Sequence, residues 1–161
     1  MNDPEFLASF PFAYNAPNFG VAIVPTLAKV LGNQLEDANI RRSVARVLGR
    51  VGTNEAIDVI TQHLSEPDEE LRGRLYKALA RTVKGRRLVL KDKAPVRAAL
   101  DRELARAWKA LHQAEVLGLG SGPGASTPRT GEPAARALLA SALTEKVSQI
   151  EGRLFLLLAV L

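Results

Sequence analysis

The sequence contains no cysteine. Disulfides, thiolate metal sites and cysteine nucleophiles are therefore excluded, and a reducing compartment is compatible with the chain. Aromatic residues make up only 5%, with a single tryptophan, so a core must be packed through aliphatic and small side chains. The two histidines, His63 and His112, fall in separate segments with no partner at ligand or acid–base spacing. No apolar run reaches the ~18 residues that a membrane-spanning helix needs, and the apolar stretch from Leu154 to Leu161 is too short. The opening Met1-Asn2-Asp3-Pro4 lacks the charged segment and long apolar core of a signal peptide. The expected location is the cytoplasm.

What is present is ordinary for a folded chain: 161 residues, the length of one domain, with 47% hydrophobic and 24% charged content. Alanine, leucine and arginine dominate, which suits helices. The strongest feature is a pattern that occurs twice. Ile40-Arg41-Arg42-Ser43-Val44-Ala45-Arg46-Val47-Leu48-Gly49-Arg50-Val51 returns 31 positions later as Leu71-Arg72-Gly73-Arg74-Leu75-Tyr76-Lys77-Ala78-Leu79-Ala80-Arg81-Thr82. Apolar residues at 40, 44, 47, 48 and 51, and again at 71, 75, 78 and 79, define one helix face in each copy. The preceding segments match too, Ile23 to Leu31 with Ala56 to Leu64. Each unit is thus a helix, a polar turn and a second helix, and a period near 30 residues is the mark of a repeat array.

These residues resemble the HEAT-repeat family, whose units have an apolar first helix, an acidic or proline-containing turn, and a second helix opening on an apolar–Arg pair. Ser65-Glu66-Pro67-Asp68-Glu69-Glu70-Leu71-Arg72 follows that pattern, whereas the first unit, with Asn33-Gln34-Leu35-Glu36-Asp37-Ala38-Asn39, has no proline in its turn. The resemblance covers roughly residues 20–84. It implies an all-α fold, an α-solenoid of HEAT-like helical repeats followed by two long helices.

In chain order, residues 1–19 form an irregular N-terminal segment with four of the five phenylalanines and prolines at 4, 11 and 17. The two repeats occupy 20–84. The first helix is expected from Val21 or Pro25 to Leu31, and the second from Ile40 to Val51 with Asn39 or Asp37 as its cap. Gly52-Thr53 ends that helix and caps the next, which runs to Leu64; Asp68 caps a helix ending near Val83, with Gly85 at its C-terminal position. A linker and long helix fill 85–117, with Asp92 as a cap and Leu100, Leu104, Trp108 and Leu111 on one face. Half of residues 118–133 are glycine or proline, as expected of a flexible linker. The last helix, 134–161, carries Leu139, Leu143, Val147, Ile150, Leu154 and Leu158 at helical spacing and has no stop signal, so it is expected to be truncated from a longer polypeptide.

The segments Val96 to Trp108 and Leu138 to Leu161 resemble, in helix order and alanine–leucine–arginine texture, the two long helices after the HEAT repeats of bacterial membrane proteins related to the ATP/ADP translocases. That resemblance implies a cytoplasmic regulatory or interaction domain at the inner face of a membrane, as part of a larger transporter-like protein.

Catalytic constellations are not apparent. His63 and His112 read as structural. The acidic cluster Glu66, Asp68, Glu69 and Glu70 reads either as a cation site or as negative charge placed at a helix N-terminus. Gly118 to Ala125 lacks the lysine of a phosphate-binding loop and follows a helix, so it reads as linker. Trp108 is either a partner anchor or core, and Tyr76, which replaces Ala45 in the repeat, either touches a partner or packs between repeats. No catalytic, metal or cofactor residue is expected, and the expected role is non-enzymatic.

Basic residues form the one constellation that points outward. Arg42, Arg46 and Arg50 are spaced i, i+4, i+8, and the repeat shift carries the last two onto Lys77 and Arg81; Lys84, Arg86 and Arg87 follow. Stacked repeats would place them as a ladder on neighbouring second helices. The net charge of +5 is concentrated there. The expected function is a scaffold for protein–protein interaction or regulation, with an unidentified protein, an anionic partner or an anionic membrane surface as partner. The alternative is a nucleic-acid-binding solenoid using this basic face; the bland reading is a solvated arginine-rich face, partly paired with carboxylates of the adjacent repeat. Leu48→Asp or Leu79→Asp is expected to unfold the array.

Overall fold

The computed structural model describes residues 17–86, 88–116 and 133–161. Every regular element among them is a helix: α1 (Pro17–Gly32), α2 (Ala38–Val51), α3 (Asn54–Gln62), α4 (Glu69–Arg86), α5 (Ala94–Val116) and α6 (Pro133–Leu158). The all-α expectation and the solenoid arrangement are met. The chain divides into two compact units, with the boundary between Pro95 and Val96 in the first turn of α5.

In the first unit, α1 packs on α2 and α3 on α4, while α1 also meets α3 and α2 meets α4. The result is two layers, first helices in one and second helices in the other. The apolar stripe supplies the reason. Val44, Leu48 and Val51 of α2 and Leu71, Leu75 and Leu79 of α4 are buried, together with Leu31, Ile57, Ile60 and Leu64 from the first-helix side. Each such side chain contributes about 1.5–3 kcal/mol when removed from water.

The turns explain where each helix begins and stops. Asp37, and not Asn39, caps α2 by accepting from the N–H groups of Asn39 at 2.7 Å and Ile40 at 3.4 Å. Gly52 ends it at φ 58°, a left-handed conformation that side chains resist, and donates its N–H to Leu48. Thr53 then caps α3 through Ala56 N–H at 3.3 Å. Asp68 caps α4 by accepting from Glu70 at 2.9 Å and Leu71 at 3.3 Å.

Two helices run longer than the sequence suggests. α1 starts at Pro17 and carries Pro25 in its interior. An interior proline costs about 3 kcal/mol, less than the summed burial of Val24, Leu27 and Leu31 on the same helix. α4 passes through Gly85 to Arg86, whose Nη2 donates to the Arg50 carbonyl at 3.0 Å and so ties the last turn to α2.

One contact sets the approach of the second helices. A Cβ on Gly49 would lie 2.8 Å from Ala78 Cβ, so glycine is needed for α2 and α4 to cross this closely. Thr82 Oγ1 lies 2.8 Å from the Ala78 carbonyl and 3.2 Å from that of Gly49, at the same crossing.

The second unit contains α5 from Val96 onward and α6. Here the expected inward face of α5 is corrected. Val96, Ala99, Glu103 and Ala110 are buried, whereas Leu104, Trp108 and Leu111 are exposed, Trp108 at 72%. The physical reason is Glu103, a fully buried carboxylate that ion-pairs with Arg106 and lies 3.8 Å from Arg153 of α6. A buried carboxylate needs its cations beside it, and this phase of the helix brings Glu103 to Arg106 and Arg153. In α6, Ile150 and Leu157 are buried while Leu139 and Leu158 are exposed. Of the irregular segment expected at 1–19, residues 17–19 are helical, in the first turn of α1. Residues 1–16, the linker expected at 118–133 except its last residue, and the candidate Arg87 lie outside the described residues.

Candidate functional site

The second-helix layer carries all the described candidates. Seen down each helix, the buried stripe occupies one side and the basic residues the other. Arg46 and Arg50 on α2 and Lys77, Arg81 and Lys84 on α4 are exposed. None of these five side chains has an ion pair or hydrogen bond to a described residue. Arg50 and Lys84 lie in the last turns of their helices, where the helix dipole favours a cation. Arg46, Lys77 and Arg81 lie earlier, beyond that effect's reach.

Arg42 sits at the other end of the layer and is engaged. Its Nε and Nη2 donate to the two Asp68 oxygens at 3.0 and 3.2 Å, and Nη1 lies 2.7 Å from Glu70. Arg74 binds Glu70 in turn, at 2.6 Å. Burial raises the Asp68 carboxyl, but the Leu71 N–H, Arg42 and the Glu70 N–H outweigh it and hold the group below its ordinary value. The acidic turn is thus occupied by arginines of its own chain. Lys91 reaches Asp58 at 3.2 Å in an exposed pair of little consequence.

Sequence reasoning missed a second set of arginines on the inner side. Arg41 and Arg72 are repeat equivalents, 7% and 3% exposed. Arg41 Nε donates to the Leu31 carbonyl at 2.9 Å, at the end of α1, and Nη2 to Glu66 Oε1 at 2.7 Å. Arg72 Nη1 donates to the Glu66 carbonyl at 2.8 Å. Glu66 therefore receives the first repeat's arginine on its side chain and the second repeat's on its backbone. Its other oxygen, Oε2, is buried without a hydrogen-bond partner among the described residues. The signal was present: the apolar–Arg pair opens both second helices in the same register.

Tyr76, His63 and Arg86 are engaged within the array. Tyr76 is fully buried and donates to the Leu64 carbonyl at 3.2 Å, so it packs within the array. His63 uses its ring to bond the Val59 carbonyl at 2.9 Å at the end of α3. Arg86 closes α4 against α2 as described, with its guanidinium against Gly52. Among the described residues no group of three or more His, Asp or Glu is placed to hold a metal ion, and no helix is long and apolar enough to cross a membrane.

Comparisons with known proteins agree with the geometry. The family model described as HEAT repeats matches residues 14–80, a stretch that takes in α1 to α3 and most of α4. A deoxyhypusine hydroxylase of Eremothecium gossypii is 32% identical over 72 residues, which is 44% of this chain and 22% of that enzyme. No solved structure matches. The expectation of a non-enzymatic chain is corrected by the second finding, since the relative is named for a reaction. The sequence reading sought converging catalytic groups, and a stretch covering about a fifth of an enzyme need not contain them. At the level of the segment, residues 14–80 are similar to HEAT repeats.

Proposed function

We propose that the repeat pair is a docking scaffold that takes an anionic macromolecule on the exposed face of α2 and α4. The observation that carries the reading is the set Arg46, Arg50, Lys77, Arg81 and Lys84, exposed and without carboxylate partners among the described residues. Five like charges held on two packed helices repel one another, and an anionic partner relieves that repulsion. The role is interaction or regulation, with an acidic protein surface, a nucleic acid or an anionic membrane leaflet as the classes of partner. The likeness of the long helices to those of transporter-like membrane proteins would place the scaffold on the cytoplasmic side of a membrane.

The test is a capture from bacterial lysate at low and high salt, with the full chain and with a variant in which Arg46, Arg50, Lys77 and Arg81 are changed to Glu. Salt-sensitive partners lost in the variant support the reading. Identical capture by both proteins removes it.

The hydroxylase relative supports a second reading, in which the array is the repeat segment of an enzyme acting on deoxyhypusine. Incubation of the chain with a deoxyhypusine-bearing protein, followed by mass spectrometry for one added oxygen, tests it. No mass change under conditions where an authentic hydroxylase succeeds would remove it.

A further inference from the structure

The chemistry of the exposed face narrows the partner, on the assumption that the docking reading above holds. Three features decide. The first is what the face lacks: α4 has no exposed large hydrophobic residue, and α2 has only Ile40, 37% exposed and in its first turn, at the end away from the five cations. A stable protein interface is anchored by aromatic or aliphatic side chains at its centre. A peripheral membrane site inserts such side chains among the lipids. Neither anchor is available beside Arg46, Arg50, Lys77, Arg81 or Lys84.

The second feature is spacing. Arg46 to Arg50 and Lys77 to Arg81 are i, i+4 steps, a rise of about 6 Å each. The two rows lie on helices in direct contact, pressed together where Gly49 meets Ala78. This is a fixed grid of point charges, and it suits a polymer that presents fixed charges at regular intervals. Duplex nucleic acid carries one phosphate charge per about 1.7 Å of axis. The third feature is the absence of aromatic residues from the exposed side of α2 and α4, since Tyr76 is buried. Single strands are held largely by base stacking on aromatic rings, so this face favours a duplex.

We infer that the five cations bind the phosphodiester backbone of duplex nucleic acid without regard to base sequence. Each neutralised phosphate releases counterion, so five contacts give a slope of about −4.5 in log affinity against log salt. Affinity should then fall about 500-fold between about 50 and about 200 mM salt.

The experiment is fluorescence anisotropy with the full chain and labelled duplexes of DNA and of RNA. Poly-glutamate and phosphatidylcholine–phosphatidylserine vesicles serve as competing anions. The double variant Arg46→Gln, Arg50→Gln should shift the slope to about −2.7 and reduce the salt effect to about 40-fold, as should Lys77→Gln with Arg81→Gln. Unchanged melting of these variants by circular dichroism separates lost contacts from lost fold. Two duplexes of different sequence should bind alike. No duplex binding at low salt, or a slope indifferent to both variants, overturns the inference. Tighter binding to poly-glutamate or to vesicles overturns it while leaving the docking scaffold standing. Binding to none of the three anions overturns both.

Discussion

The two ends of the second-helix layer put the same residue type to opposite uses. At the end near the turns, Arg41 and Arg72 are buried and Arg42 is clasped by two carboxylates. At the other end, Arg46, Arg50, Lys77, Arg81 and Lys84 face solvent with no ion pair among the described residues. Two local facts produce the difference. A residue one place after the apolar start of the helix points inward and the next points outward, so Arg41 and Arg42 diverge although adjacent. The acidic residues are also confined to one end, because negative charge is favourable at helix N-termini and the turn supplies Glu66, Asp68 and Glu70 there. The lesson is that arginine content alone says little: position relative to stripe and turn separates structural arginines from available ones.

The contrast can be broken outright. Leu48→Asp or Leu79→Asp places a charge in a site that is fully buried, and the array should lose cooperative thermal unfolding altogether. A sharp melt at the wild-type temperature would disprove the repeat register.

Next in size, Arg41→Met strands Glu66 in the interior and should cost about 3–5 kcal/mol by chemical denaturation. Adding Glu66→Leu should recover most of that loss, since an apolar pair of similar volume replaces a buried ion pair at little cost. If the double variant were no better than the single one, the arginine's bond to Leu31 would be the larger contribution.

Asp68→Asn should cost about 1 kcal/mol at neutral pH, because asparagine keeps the cap but loses the charge facing Arg42. The folded carboxyl lies below its ordinary value of 3.8, so its stabilisation is present above that pH and disappears as pH falls through the folded value. The gap between variant and wild type should therefore close under acid conditions, which melts from pH 7 to pH 2 would follow. A gap constant with pH would mean that the ion pair contributes nothing.

The smallest effect belongs to the open end. Arg46→Gln with Lys77→Gln should change stability by no more than about 0.5 kcal/mol, and relief of repulsion could make the sign favourable. A loss of several kcal/mol would show these cations to be structural after all.

Much of the first unit was legible in the sequence. The 31-residue shift and the apolar stripe located both second helices, and Gly52, Thr53 and Asp68 marked their turns through ordinary capping chemistry. Gly85 misled because it is a local stop signal overridden by the bond from Arg86 to Arg50, whereas α1 runs through Pro25 as one of the two starts read from the sequence allows. The phase of α5 was illegible for a different reason. Leucine spacing favoured one face, and only the approach of Arg153 to Glu103, 50 residues apart in number, reveals the other. As to the basic face, its composition was plain from the sequence, but the split between Arg42 and its neighbours depended on which carboxylates the turn brought within reach. No residue singled out in the sequence pointed to the hydroxylase likeness.

The crossing at Gly49 has a consequence for the geometry of recognition. With no side chain between them, α2 and α4 lie against each other backbone to side chain, and a Cβ there would intrude to within 2.8 Å of Ala78. That single missing methyl sets the gauge of the two rows, as sleepers set the gauge of rails. Gly49→Ala would leave every charge in place yet widen the track, and whatever rides on it would have to match the new width.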